Sequence, residues 1–156
     1  MSTDGPLGSA RLGYLLKHAY LGYAEMSREA LAPYEIDGRE LAVLTRLAGP
    51  EPLSQQEAAR HLGIDRTTMV ALVDALERKQ LVGRRPDPED RRKNIVELTA
   101  AGRTTLAGAT QAADRAEQQF LGALGPAAGE SLKEALRTLL SAGLSAGLPA
   151  EPSAGS

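Results

Sequence analysis

With 156 residues, 16 Gly and only one Phe, four Tyr and no Trp, the chain has length for one domain, built of helices packed through small side chains. The absence of Cys excludes disulfides, thiolate metal sites and cysteine redox switching; it fits a cytoplasmic location. A formal charge of −2 excludes a uniformly basic polyanion binder and leaves a local basic patch as the route to nucleic acid.

Residues 1–8, rich in Ser, Gly and Pro, are expected to be disordered. No charged-then-apolar leader and no run of about 18 apolar residues occurs, so neither a secretion signal nor a membrane span is expected. A long helix is predicted over 9–32, ended by Pro33. Leu12, Leu15, Leu16, Ala19, Tyr23 and Met26 form one apolar stripe on it, and Tyr14, His18 and Leu21 lie on another side. A helix with two such faces needs more than one neighbour. Asp37 followed by Glu40 has the pattern of a capping box and opens a second helix, with Leu41, Leu44, Thr45 and Ala48 at helical spacing before Gly49-Pro50 stops it.

The segment 54–99 reads as a helix-turn-helix followed by a wing. Ser54 and Glu57 repeat the capping-box pattern, Gly63 supplies a left-handed helix end, and Asp65 is placed to cap a second helix reaching about Gln80. On that helix Met69, Leu72, Val73 and Leu76 form a stripe to be buried. Thr67, Ala71, Asp74 and Arg78 lie opposite, flanked by Arg66, Thr68 and Val70 near the N-terminus. A short polar N-terminal face of this kind suits the DNA major groove, where its first residues reach base edges. Residues 81–85 and 94–98 are strand-like, and the charged connection 86–93 contains two prolines that exclude a helix. Between Arg60 and Lys93 stand nine Lys and Arg against six Asp and Glu, a local balance of +3 that leaves −5 for the rest of the chain. Local charge, more than net charge, sets the footprint on DNA.

Thr99 is placed to cap a helix over 100–124, with Leu106, Ala109, Ala113, Ala116, Phe120 and Leu124 on one face and Gln111, Asp114, Arg115 and Gln118 opposite. Gly125-Pro126 breaks the chain before a last helix with Leu132, Ala135, Leu136, Leu139 and Leu140 as its stripe. Residues 145–156 are expected to form a disordered tail. The terminal helices are long, amphipathic and outside the DNA-reading unit, so they are expected to pair across a two-fold axis.

The run DRTTMVALVDALERKQLV over 65–82, then PEDRRKNIVELTAAG over 88–102, resembles the recognition helix and wing of the MarR family of bacterial winged helix-turn-helix transcription regulators. The resemblance extends from about Leu12 to Leu144. It implies a mainly α fold with a small β-hairpin wing: a single domain over 9–144, with 9–32 and 100–144 as dimerisation helices forming an intertwined dimer and 37–99 as the DNA-binding region. It further implies a regulator, usually a repressor, that binds a near-palindromic double-stranded operator as a homodimer and leaves when a small aromatic or phenolic effector binds. Arg92 would enter the minor groove, and Asp90 would hold a wing arginine by a charge-assisted pair. The expected DNA-facing set is Ser54, Gln55, Gln56, Arg66, Thr67, Thr68, Val70, Ala71, Arg78, Arg84, Arg91 and Arg92. Tyr14, His18, Tyr23 and Met26 are the candidate effector pocket.

Each assignment has a plainer alternative. A mixed charge run usually ends as a solvated hairpin tip, Gln55 and Gln56 equally suit exposed helix surface, and the tyrosines suit core or dimer packing with locally satisfied hydroxyls. For the whole chain, the alternative is a winged-helix dimer acting as a protein-interaction module without its own operator. An enzyme is not expected: the two histidines, His18 and His61, are far apart, and no Gly-rich phosphate loop or metal-ligand spacing occurs, so no cofactor or metal is implied.

Overall fold

The computed structural model describes Gly8 and residues 10–145. Apart from Gly8 and Ser145, the two segments expected to be disordered, 1–8 and 145–156, lie outside the described residues. The elements are α1 (Leu12–Leu31), a 3-10 turn (Ala32–Tyr34), α2 (Gly38–Leu47), β1 (Leu53–Ser54), α3 (Gln55–Leu62), α4 (Arg66–Arg78), β2 (Val82–Pro86), β3 (Asn94–Leu98), α5 (Ala100–Leu121), a second 3-10 turn (Gly122–Leu124) and α6 (Pro126–Ser145).

Local chemistry explains most of these boundaries. The Asp37 carboxylate accepts from the Glu40 backbone N–H at 2.8 Å, and Glu40 accepts in return from the Asp37 N–H at 3.0 Å. Ser54 and Glu57 make the same reciprocal pair at 3.2 and 2.8 Å. Each box satisfies two orphan donors at a helix start. Gly63, at φ 63°, ends α3. The end of α4 carries no glycine: Gln80 takes φ 61°, its N–H donates to Glu77 O, and the Leu81 N–H donates to Leu76 O. This is a Schellman closure made by a residue with a Cβ, so the recognition helix ends at Arg78, short of the predicted Gln80.

One expectation is extended and one is corrected. The hairpin wing forms from β2 and β3, and β1 joins it in a three-stranded antiparallel sheet in the order β1-β3-β2, with Leu53 opposite Val96 and Val82 opposite Leu98. A two-residue strand carries too little alternation to be legible. On α2, the stripe of Leu41, Leu44, Thr45 and Ala48 is out of phase with the burial, which falls on Glu40, Val43, Leu44 and Leu47. Thr45 lies off that buried face, and its hydroxyl donates to the Leu41 carbonyl at 2.8 Å.

The core joins α1, α2 and α4 through Leu31, Val43, Leu44, Met69, Val73 and Leu76, all fully buried, and takes in the sheet through Leu53, Val82, Val96 and Leu98. Each such side chain contributes about 2 kcal/mol of transfer free energy. Helix α5 lies against α1, and its small residues Ala109, Ala112 and Ala116 are buried. The Tyr34 ring packs over Gly108 of α5, where a Cβ would stand 2.5 Å from the ring. By contrast Leu12, Tyr20, Leu139 and Leu140 are each more than half exposed, so the terminal helices leave apolar faces uncovered in the single chain.

One ion pair ties the reading unit to α2. Lys79, the residue that closes α4, donates to Glu40 Oε1 and to the Glu35 carbonyl, both at 2.7 Å, and Glu40 is buried. Lys79→Met strands the Glu40 carboxylate; because Lys79 is itself about a third exposed, the expected cost is nearer 2 kcal/mol than the full value of a broken buried pair. Urea denaturation checks this. Adding Glu40→Gln should restore most of the loss, and a double variant no more stable than the single one would contradict the pairing.

Candidate nucleic-acid interface

The N-termini of α3 and α4 and the base of the wing surround one cleft of about 400 Å³, lined among others by Gln55, Gln56, Arg60, Arg66, Arg92 and Lys93. The start of α4 is set by Asp65, whose carboxylate accepts from the Thr68 backbone N–H at 2.9 Å and from the Thr68 hydroxyl at 2.6 Å. These hydrogen bonds hold the Asp65 carboxyl below its usual range. With the folded-state value lowered, the cap's contribution is present above the unfolded pKa and is lost as pH falls through the folded one. Glu57 is likewise lowered, chiefly by the Ser54 backbone N–H.

Beyond this cap, Arg66, Thr67, Ala71 and Arg78 are exposed and Thr68 and Val70 half-buried. Of these, Arg66 lines the cleft. Thr68 has spent its hydroxyl proton on Asp65 and can only accept from a ligand. Of the α3 residues, Gln56 is exposed and Gln55 half-buried. Ser54 is buried, with its hydroxyl engaged as the α3 cap, so it offers little surface of its own.

The wing tip is built by backbone turns. The Asp87 N–H donates to Lys93 O and the Lys93 N–H to Asp90 O, both at 2.9 Å. Asp90 accepts the Arg92 backbone N–H at 3.1 Å, with Arg92 Nε 4.0 Å away. The Arg92 side chain is 96% exposed, a cation held at its root and free at its head, and Arg91 is also exposed. Arg85 is paired across the strands with Glu97 at 2.9 Å.

Arg84 is placed differently from the expectation that it faces DNA. Its guanidinium donates to Asp74 and to Glu77, each at 2.6 Å, and to Gln55 at 3.2 and 3.3 Å. Strand alternation carried the signal: Arg84 shares a face with buried Val82. His61, at the end of α3, has its Nδ1 facing the Arg46 guanidinium of α2.

The four candidate effector residues do not converge within one chain. Tyr14 and His18 stack on each other with ring centroids 4.1 Å apart, on the exposed side of α1. Tyr23 packs edge-on against Phe120 at 5.4 Å, and burial, then Glu117 and Asp114, push its hydroxyl above the ordinary range. Met26 lines a groove of about 510 Å³ with Glu29, Pro33, Tyr34, Arg115 and Gln119. The reason is helical phase: nine residues at about 100° each put Tyr14 and Tyr23 on opposite sides of α1. Tyr34 and Arg115 were not in the candidate set; Tyr34 stands on the 3-10 turn after α1, and only the packing of α5 on α1 brings Arg115 to the same groove.

Comparison with known proteins agrees with this geometry. The MarR family model matches residues 38–93. The transcriptional repressor NicR of Pseudomonas putida is 30% identical over 114 residues, which is 73% of this chain and 72% of that protein. The structure of the transcriptional repressor CouR bound to a 23-mer DNA duplex superposes with a TM-score of 0.80 at 35% identity, covering 90% of this chain and 98% of that one. BpsR of Bordetella bronchiseptica, whose DNA binding is regulated by 6-hydroxynicotinic acid, gives 0.76 at 26% identity, over 84% of this chain and 94% of its own. A winged helix-turn-helix with this recognition helix, this wing and these relatives is a DNA-binding transcription regulator, not an enzyme, and the chain belongs to the MarR family.

Proposed function

We propose that the protein represses transcription in the cytoplasm, binding a near-palindromic operator as a homodimer and leaving it when a small aromatic or phenolic acid binds. The observation that carries this reading is a pairing of surfaces: an exposed, cationic α4–wing face, and long terminal helices whose Leu12, Tyr20, Leu139 and Leu140 lie uncovered. Apolar helix faces of that extent are supported by a second copy. Two copies would present two recognition helices to major grooves about 34 Å apart, hence half-sites about 10 bp apart.

Arg66, Thr67, Thr68, Val70 and Ala71 would face base edges, Gln55, Gln56, Arg78 and Arg91 the phosphates, and Arg92 the minor groove, with Asp90 as its buttress. Ser54 would act through its cap. The effector class is supported by BpsR's regulation by 6-hydroxynicotinic acid. Within this chain the Met26–Arg115 groove sets the Arg115 guanidinium and the Glu29 carboxylate beside Met26, Pro33 and Tyr34, which suits an aromatic ring carrying a polar group. Tyr14 and His18 would contribute only across the dimer.

Selection from a random DNA pool, with light scattering in parallel, tests the reading. The expected result is a dimer at micromolar concentration and one enriched palindrome. A monomer would sink the homodimer and its two half-sites, and a dimer that enriches no sequence above background would favour the protein-interaction module without its own operator.

A further inference from the structure

Arg84, on β2, has its three partners on α3 and α4. Nη1 donates to Glu77 Oε2 and Nη2 to Asp74 Oδ1, both at 2.6 Å; Nε and Nη2 also reach Gln55 Oε1. Its side chain is only 22% exposed. A DNA phosphate recruiting this guanidinium would displace two carboxylates and leave both facing a polyanion. The site therefore resists that use. Gln55 is the first residue of α3, at the mouth of the cationic cleft. With its carbonyl oxygen turned to Arg84, the opposite end of the amide, the two N–H donors, is the end left for a ligand, and it has no partner among the described residues.

We propose that Arg84 is a positioning residue that locks the wing to the recognition helix and fixes the Gln55 amide with its donors toward a DNA phosphate, without contacting DNA itself. This rests on the operator-binding reading above. It assigns Gln55 a donor role and removes Arg84 from the DNA contacts.

The test measures affinity and salt dependence of the full-length protein for its selected operator, well below the melting temperature, in Arg84→Met, Gln55→Met and the double variant. Arg84→Met is expected to weaken binding about tenfold with the salt slope unchanged, because no counterion-releasing contact is lost. Gln55→Met alone should cost about fivefold, the loss of one neutral donor to a charged phosphate. In the Arg84→Met background it should cost less than about twofold, since the unpinned amide has already lost its orientation. A purely structural Arg84 would leave the folded variant's affinity untouched, and that result overturns the proposal. So does a slope flattened by about 0.9 per protomer, which places Arg84 on a phosphate, or a Gln55→Met effect equal in both backgrounds. Should Arg84→Met not fold, Arg84→Lys replaces it: one cation without the fork, expected to give the same loss at unchanged slope, with full affinity counting against the proposal. Wild-type protein that binds no operator overturns both readings; wild-type binding with non-conforming variants overturns this one alone.

Discussion

Gly102→Ala is expected to lower stability by about 3 kcal/mol, at the upper end of overpacking effects. A Cβ on Gly102 would stand 2.0 Å from the Leu81 carbonyl oxygen and 3.0 Å from its carbon. These are backbone atoms and cannot rotate away. The same oxygen accepts the Thr99 N–H at 3.0 Å, and the Gly102 N–H donates to the Thr99 hydroxyl at 2.9 Å. The methyl group therefore pries the start of α5 from the start of β2, at the junction between the reading unit and the long C-terminal helices. Urea denaturation should show a lower midpoint with an unchanged slope. A midpoint equal to wild type would mean that α5 does not approach Leu81 this closely.

Arg92→Ala is expected to weaken every operator variant by a similar factor, about tenfold per protomer, and to flatten the salt dependence by about one unit per protomer. The reason is that an exposed cation, if it enters a narrow groove as proposed, acts through electrostatic potential and groove width more than through base identity. Arg66→Ala and Thr67→Ala should instead change which base is preferred at one half-site position, with mismatch penalties falling from about 1–3 kcal/mol toward zero. Asp90→Ala removes the acceptor for the Arg92 N–H and should give a weaker loss with little change in salt slope, since the arginine charge stays. Tighter binding by Asp90→Ala would show that its charge merely opposes DNA. Unchanged affinity and slope in Arg92→Ala would leave the wing as a solvated hairpin tip.

Capping residues and breakers determined most of the fold from sequence alone. Asp37, Ser54, Asp65 and Thr99 each cap the helix they were expected to cap, because a cap depends on three or four consecutive residues. The buried stripe of α4 was legible for the same reason: Met69, Val73 and Leu76 recur at the helical period and all three are fully buried. Leu72, on the edge of that stripe, remains partly exposed. The family itself was legible in the run from Asp65 to Gly102, where recognition helix and wing are contiguous.

What the tertiary structure alone decided are the pairings between distant positions. Arg84 with Asp74 and Gln55, and Lys79 with Glu40, join different elements, and Met26 and Arg115 line one groove from α1 and α5; no local period encodes which of several neighbours will meet. The α2 stripe shifted phase because burial there follows the neighbours of Val43 and Leu47, not the spacing of Leu41 and Ala48. Gln80 closes α4 in a left-handed conformation that sequence assigns to glycine; the closure is held by bonds to Leu76 and Glu77 and by the turn into β2. Spacing already put Tyr14 and Tyr23 on different sides of α1, and the fold decided that Phe120 of α5 packs against Tyr23. Composition and spacing determine which residues are available to a site, while the packing of α1, α4, α5 and the wing decides which of them share one.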